Sequence, residues 1–184
     1  GREIVANEDG TALVSYSASP VPNERFHVLP RPMPTELVEE VIDYYGNAGG
    51  RMLEAGLDGV EIVGSHGYLP AQVLNPGVNQ RDDKYGGSFE NRLRFVREVA
   101  ANIRSKTNDN FVVGMRLSGN ELSPDGLSAD DMLEICQALA QDGVLDYFSV
   151  VAGSSSTLAG SVHIVPPMTE ETGYTAPFAK AIKE

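Results

Sequence analysis

Apolar residues recur close to every fourth position from Leu37 through Val41, Tyr45, Ala48 and Met52, which predicts an amphipathic helix opening at Thr35. Gly56 is placed to stop it, as a residue free to turn left-handed. The pattern then shortens. Gly59 to Ser65 reads as a brief buried strand, and 64–87, rich in Gly, Pro, Asn and Asp, as a loop. Helical spacing returns from Ser88, with Phe89, Leu93, Val96, Ala100 and Ile103 on one face. Phe111 to Leu117 predicts a second strand. Ser128 and Asp131 form a variant capping box ahead of Met132, Ile135 and Leu139. Leu145 to Ala152 predicts a third strand, and a last helix starts near Thr175.

Strands alternating with helices of this length imply βαβ units and a parallel sheet. Either a doubly wound sheet or a (β/α)₈ barrel would satisfy that order. The glycine-rich turn of a dinucleotide fold (G-x-G-x-x-G) follows none of the strands, which tilts the reading toward the barrel. Three strands fall short of the eight that close one. The polar residues His66, Tyr68, Arg116 and Ser154 fall just after strand ends, where both architectures hold ligands. Residues 1–34 carry Pro20, Pro22, Pro30, Pro32 and Pro34, and proline's missing donor predicts an extended loop. All 184 residues read as one domain unit.

Charge narrows the partners. A net charge of -12 repels phosphate backbones and anionic membrane surfaces, so a small-molecule substrate is expected rather than nucleic acid or membrane. A single cysteine, Cys136, excludes an internal disulfide and a Cys-rich metal site, and fits a reducing, cytoplasmic setting. The opening Gly1-Arg2-Glu3 and a C-terminus that stops inside a helical pattern suggest an internal piece of a longer chain, which could be a homo-oligomer.

Strand alternation puts Val60 and Ile62 on one face and Glu61 and Val63 on the other. His66 and Tyr68, two apart on the following loop, can converge on one ligand: the imidazole as a hydrogen-bond donor, the phenol as a proton donor. Equally, His66 could cap the loop and Tyr68 pack its ring inward. Arg116 shares a face with Val112 and Gly114. A buried arginine needs an acceptor or an anion, either a structural pair with Glu61 or a ligand. The serines of Gly153 to Thr157 either line a pocket or make a tight turn. His163 reads as a surface histidine, Glu121 and Asp125 as solvated, and Cys136 as a small buried hydrophobe.

The run from Gly56 to Leu69 resembles the fourth-strand signature of the Old Yellow Enzyme-like NADH:flavin oxidoreductases. Leu74-Asn75-Pro76, Asn79-Gln80-Arg81, Asp83 to Ser88, Glu90-Asn91-Arg92 and Arg94-Phe95 continue that resemblance in order. Gly1-Arg2 resembles the end of the family's third strand. The resemblance implies a partial (β/α)₈ TIM barrel, about strands four to six with flanking helices, with FMN at its mouth and NAD(P)H as electron donor. It implies His66 as the second substrate-polarising position and Tyr68 as the proton-donating tyrosine. Arg116 would be the arginine beside the flavin pyrimidine edge. The first polarising position, usually His, is Val63, a substrate-binding position that cannot donate. With Leu69-Pro70 this resembles the branch of trimethylamine dehydrogenase and 2,4-dienoyl-CoA reductase. In that branch a 4Fe-4S cluster would lie outside this segment. The leading expectation is hydride transfer from reduced flavin to an unsaturated carbonyl or enoyl substrate. The alternatives are an amine dehydrogenase or N-demethylase, and a non-catalytic barrel fragment or α/β binding module.

Overall fold

The computed structural model describes residues 14–25 and 27–184. Gly1-Arg2 and the first third of the expected N-terminal loop lie outside the described residues. The remainder of that loop is extended and carries two minimal strands, β1 (Tyr16–Ser17) and β2 (Arg31–Pro32), paired in parallel. There follow α1 (Thr35–Glu54), β3 (Gly59–Gly64), α2 (Leu69–Leu74), α3 (Phe89–Ser105) and β4 (Val112–Ser118). α4 (Ala129–Gln141), β5 (Tyr147–Val151), α5 (Leu158–Val162) and α6 (Ala176–Lys183) complete the chain.

β3, β4 and β5 form a parallel sheet in sequential order. Its register pairs Val63 with Arg116 and Arg116 with Ser149, so these side chains share a face. Ile62, Val113, Met115 and Leu117 point the other way into the core, all at 2% exposure or less. The core is completed by Leu93, Phe95, Val96, Val99 and Ile103 of α3 and by Met132, Ile135 and Leu139 of α4. Helices thus cover one face only. The opposite face is left open, with Val63, Val112 and Tyr147 about two-fifths exposed. A doubly wound sheet would bury both faces, whereas a barrel keeps its helices outside.

α1 packs Leu37, Val41 and Tyr45 of the expected stripe partly buried against the core, and buries an adjacent line more deeply. Its fully buried positions are Val38, Ile42, Gly46 and Gly49, while Met52 is 41% exposed. The cause is close helix packing. A Cβ on Gly46 would collide with Asn102 of α3, and one on Gly49 would sit 2.9 Å from Ile103 Cγ2. Glycines carry the contact, so a hydrophobic count passes over them. α1 ends as expected: Gly56, at φ 81°, donates to Leu53 O and Leu57 donates to Met52 O, a Schellman closure. The Ser128/Asp131 capping box opens α4 with both reciprocal bonds.

α2 departs from the loop expected over 64–87. Its six residues are too few to show a period, and Pro70 sits in the first turn where its missing N–H costs nothing. The rest of that loop is tied down by Arg81, which donates to Ala18 O at 3.1 Å and Met33 O at 2.6 Å and pairs with Asp83. Burial opposes ionisation of Asp83. Hydrogen bonds from Arg81, Thr35 and the Tyr85 amide, with the Arg81 charge, outweigh it and bring the carboxyl to about 2.

Candidate active site

The expected site residues gather at the C-terminal edge of β3 and β4, on the open face. Val63 and Arg116 are direct register partners, and His66 and Tyr68 lie on the turn that leaves β3. The His66 and Tyr68 rings meet edge-on, with centroids 6.3 Å apart at 75°. Tyr68 is 57% exposed, so its ring does not fill the core.

The turn is held from several sides. His66 adopts φ 59° and Gly67 φ 74°. Left-handed backbone at a non-glycine persists only where surroundings enforce it. Here the His66 amide donates to Ser118 Oγ at 3.3 Å, and the His66 carbonyl accepts from both the Ser155 amide (3.1 Å) and Ser155 Oγ (2.6 Å). Ser118 Oγ in turn donates to Gly153 O at 2.7 Å. Below, the buried Gln72 donates to Gly67 O at 2.7 Å and accepts from Ser17 Oγ at 2.7 Å. The serines after β5 therefore brace the histidine turn. Of the two readings open in the sequence, Ser154 (1% exposed) and Ser155 (8%) take the structural one.

His66 Nδ1 lies 2.7 Å from Ser65 Oγ, which leaves Nε2 free to donate or accept according to the tautomer. Burial, then the Arg116 charge, pull the imidazole below its ordinary value, so it is neutral at pH 7.

Arg116 sits within ion-pair distance of Glu61, Nε to Oε1 2.8 Å, so the structural pairing weighed from sequence is present. It does not exhaust the arginine. The Arg116 side chain is 43% exposed, and its buried Nε–H has no aligned hydrogen-bond acceptor. A guanidinium on the open face with donors to spare fits a planar ring carrying carbonyl oxygens. The residues present are thus compatible with a flavin.

Sequence reasoning missed Tyr147. It reaches across the sheet and donates to Glu61 Oε2 at 3.1 Å. The sequence points to Glu61 only as a structural partner of Arg116. Glu121, expected to be solvated, is instead 3% exposed and accepts from Asn75 Nδ2 (2.7 Å) and the Leu127 amide (2.8 Å), closing the loop after β4. Asp125 is exposed, as expected. His163 is partly covered by the Tyr174 ring and Glu170 rather than free on the surface. Cys136 is 2% exposed in α4, and burial pushes its thiol up to about 12, as suits a small apolar residue.

Comparison with known proteins bears on this geometry. The sequence profile of the NADH:flavin oxidoreductase / NADH oxidase family matches residues 3–165. The N,N-dimethylglycine/sarcosine dehydrogenase of Chromohalobacter salexigens is 41% identical over 134 residues, 73% of this chain and 19% of that protein. The multifunctional alkene reductase/demethylase OYE of Caballeronia cordobensis is 37% identical over 172 residues, 93% of this chain and 25% of that one. Among solved structures, a 2-naphthoyl-CoA reductase in complex with 2-naphthoyl-CoA superposes with TM-score 0.82 at 26% identity. It covers 99% of this chain and 27% of that one. The chain spans about a fifth to a quarter of the length of these two curated relatives, and its three parallel strands are an arc of a TIM barrel.

Proposed function

We propose, from the premise that the chain belongs to the NADH:flavin oxidoreductase / NADH oxidase family, that it contributes the substrate-handling arc of an FMN enzyme that oxidises small N-methylated amines. The observation that carries the finer part is Val63. It stands two-fifths exposed on the open face, paired in register with Arg116, and has nothing to donate. Reduction of an enone or enoyl group develops charge on a carbonyl oxygen, and preorganised donors there are worth ~3–4 kcal/mol each. An amine develops no oxyanion and is served by an apolar wall.

Bound FMN supplies the two-electron acceptor and donor, recharged by NAD(P)H in the reductive direction. Arg116 would hold the ring's carbonyl edge with the guanidinium donors that Glu61 leaves free. His66, neutral at pH 7, takes or shares the proton of a substrate ammonium, which must be lost before the C–H bond can yield a hydride. Tyr68, exposed beside it, keeps water at the mouth in order and exchanges that proton outward.

A second reading, reduction of an unsaturated carbonyl or enoyl thioester with Tyr68 as proton donor, is supported by the superposition on the 2-naphthoyl-CoA reductase. The two separate in one assay on the FMN-loaded holoprotein. Secondary and tertiary N-methyl amines are offered with an artificial electron acceptor, and enones or enoyl thioesters with NADH or NADPH. Formaldehyde release from the amines is the expected outcome. NAD(P)H-driven alkene reduction without amine turnover would install the second reading. A Tyr68→Phe protein should keep its fold and lose about 10²- to 10⁴-fold in whichever turnover needs the phenol's proton.

A further inference from the structure

Across the open face runs a row that the substrate and flavin readings leave unused. Glu61 on β3 is in register with Gly114 on β4, and Gly114 with Tyr147 on β5. Residues so aligned share a face of the sheet. Gly114 has no side chain, and a Cβ there would collide with the Tyr147 ring. The ring therefore lies across β4, and its hydroxyl reaches Glu61 Oε2, two strands away, at 3.1 Å. The other carboxylate oxygen, Oε1, lies 2.8 Å from Arg116 Nε in the next row. One carboxylate thus accepts a hydrogen bond from a phenol at one oxygen and lies at ion-pair distance from the guanidinium with the other. Burial, with the Glu61 hydrogen bond and charge, pushes the Tyr147 phenol above its ordinary value, so it stays protonated and donating.

We propose that Glu61, anchored by Tyr147 across the gap left by Gly114, is a positioning residue that fixes Arg116 and sets how much positive charge Arg116 presents to the flavin. The proposal rests on the assignment of Arg116 to the flavin's carbonyl edge. A lone guanidinium there favours the anionic reduced ring. A carboxylate in contact with it offsets part of that field, and holding the carboxylate still keeps the offset constant. The site then poises the flavin between giving and taking electrons, instead of storing it reduced.

The test is a spectroelectrochemical titration of the bound flavin in the FMN-loaded holoprotein, with FMN affinity and thermal melting measured alongside. Arg116→Gln should shift the reduction equilibrium toward oxidised flavin. Glu61→Gln, which keeps the shape and loses the charge, should shift it toward reduced flavin by roughly tenfold, the scale of a coupled charge pair. Tyr147→Phe, at a half-exposed position that tolerates the change, should shift it the same way by a smaller factor, because an unheld carboxylate drifts from the arginine. The Glu61→Gln shift should vanish in an Arg116→Gln background. No response to Arg116→Gln would overturn the arginine assignment itself. A response to Arg116→Gln with none to Glu61→Gln would leave that assignment standing and overturn this proposal. A Glu61→Gln shift that persists without Arg116 would also overturn it, by showing that the carboxylate acts on the flavin directly.

Discussion

At the scale of single residues, the chemistry turns on His66 and Val63. Burial and the Arg116 charge both disfavour imidazolium, so His66 should titrate below the ordinary histidine range in a pH series of its ring NMR signals. The sign for stability follows from linkage. In the window between the ordinary value of about 6.5 and the lowered folded value, the unfolded chain binds the proton more readily than the folded one. Stability therefore falls as pH drops through that window and levels off below it, and His66→Gln should abolish that slope in denaturant melts. Val63 gives a second prediction. Val63→His restores a donor beside His66 and should raise enone reduction about 10²-fold, the usual worth of one oxyanion donor, while lowering amine turnover. Steady-state assays with both substrate classes check it; unchanged enone reduction would mean that position 63 faces away from the reacting oxygen. The placement of His66, Tyr68 and Arg116 at one edge of the sheet was legible in sequence from the strand pattern, whereas the roles proposed for them, and any interest in Val63, come only from the family resemblance. Tyr147 was not. Its reach depends on a vacancy at Gly114 on the neighbouring strand, and only the register reveals that alignment. Glu121 misled because a carboxylate in a loop reads as solvated, whereas Asn75 and the Leu127 amide bury it.

At the scale of elements, caps and strand alternation were readable, but close packing through small residues was not. Ser128 accepts from the Asp131 amide, and Asp131 from the Ser128 amide, so the first turn of α4 has its donors met on both sides. Ser128→Ala should cost ~1 kcal/mol, seen as a lower denaturation midpoint with an unchanged slope. α1 supplies the contrast. Gly46 and Gly49 let it lie against α3, where Gly46 abuts Asn102 and Gly49 abuts Ile103. Gly46→Ala gains intrinsic helix propensity worth about 1 kcal/mol, yet the collision with Asn102 should outweigh it, for a net loss of ~1–3 kcal/mol. A stabilised Gly46→Ala protein would show that α1 and α3 sit farther apart than described. The hydropathy stripe finds Leu37, Val41 and Tyr45 against the core but passes over the deepest line of α1, because glycine contributes nothing to a hydrophobic period while deciding where backbones meet.

At the scale of the whole molecule, the decisive fact is the open face. Helices cover one side of β3, β4 and β5; the other side presents Val63, Val112 and Tyr147 at 40%, 39% and 43% exposure beside Arg116. The outer edges of β3 and β5 have no strand partner among the described residues. A (β/α)₈ barrel closes with eight strands and takes phosphate after its seventh and eighth. The superposition makes this chain an arc of such a ring, and the resemblance implies that the arc is its middle. The 184 residues made by themselves should therefore bind FMN at least roughly a hundredfold more weakly than the holoprotein, the order of one lost charge-assisted phosphate site. They should also bind an apolar dye on the open face and self-associate through their strand edges as concentration rises. Flavin fluorescence titration, dye fluorescence and sedimentation velocity on the same preparation test all three. Weak FMN binding with dye uptake and association would assign flavin affinity to ring closure. Tight stoichiometric FMN on a monomer would instead mean that Arg116 and its Glu61–Tyr147 support, with the His66 turn, already hold the ring without a phosphate anchor.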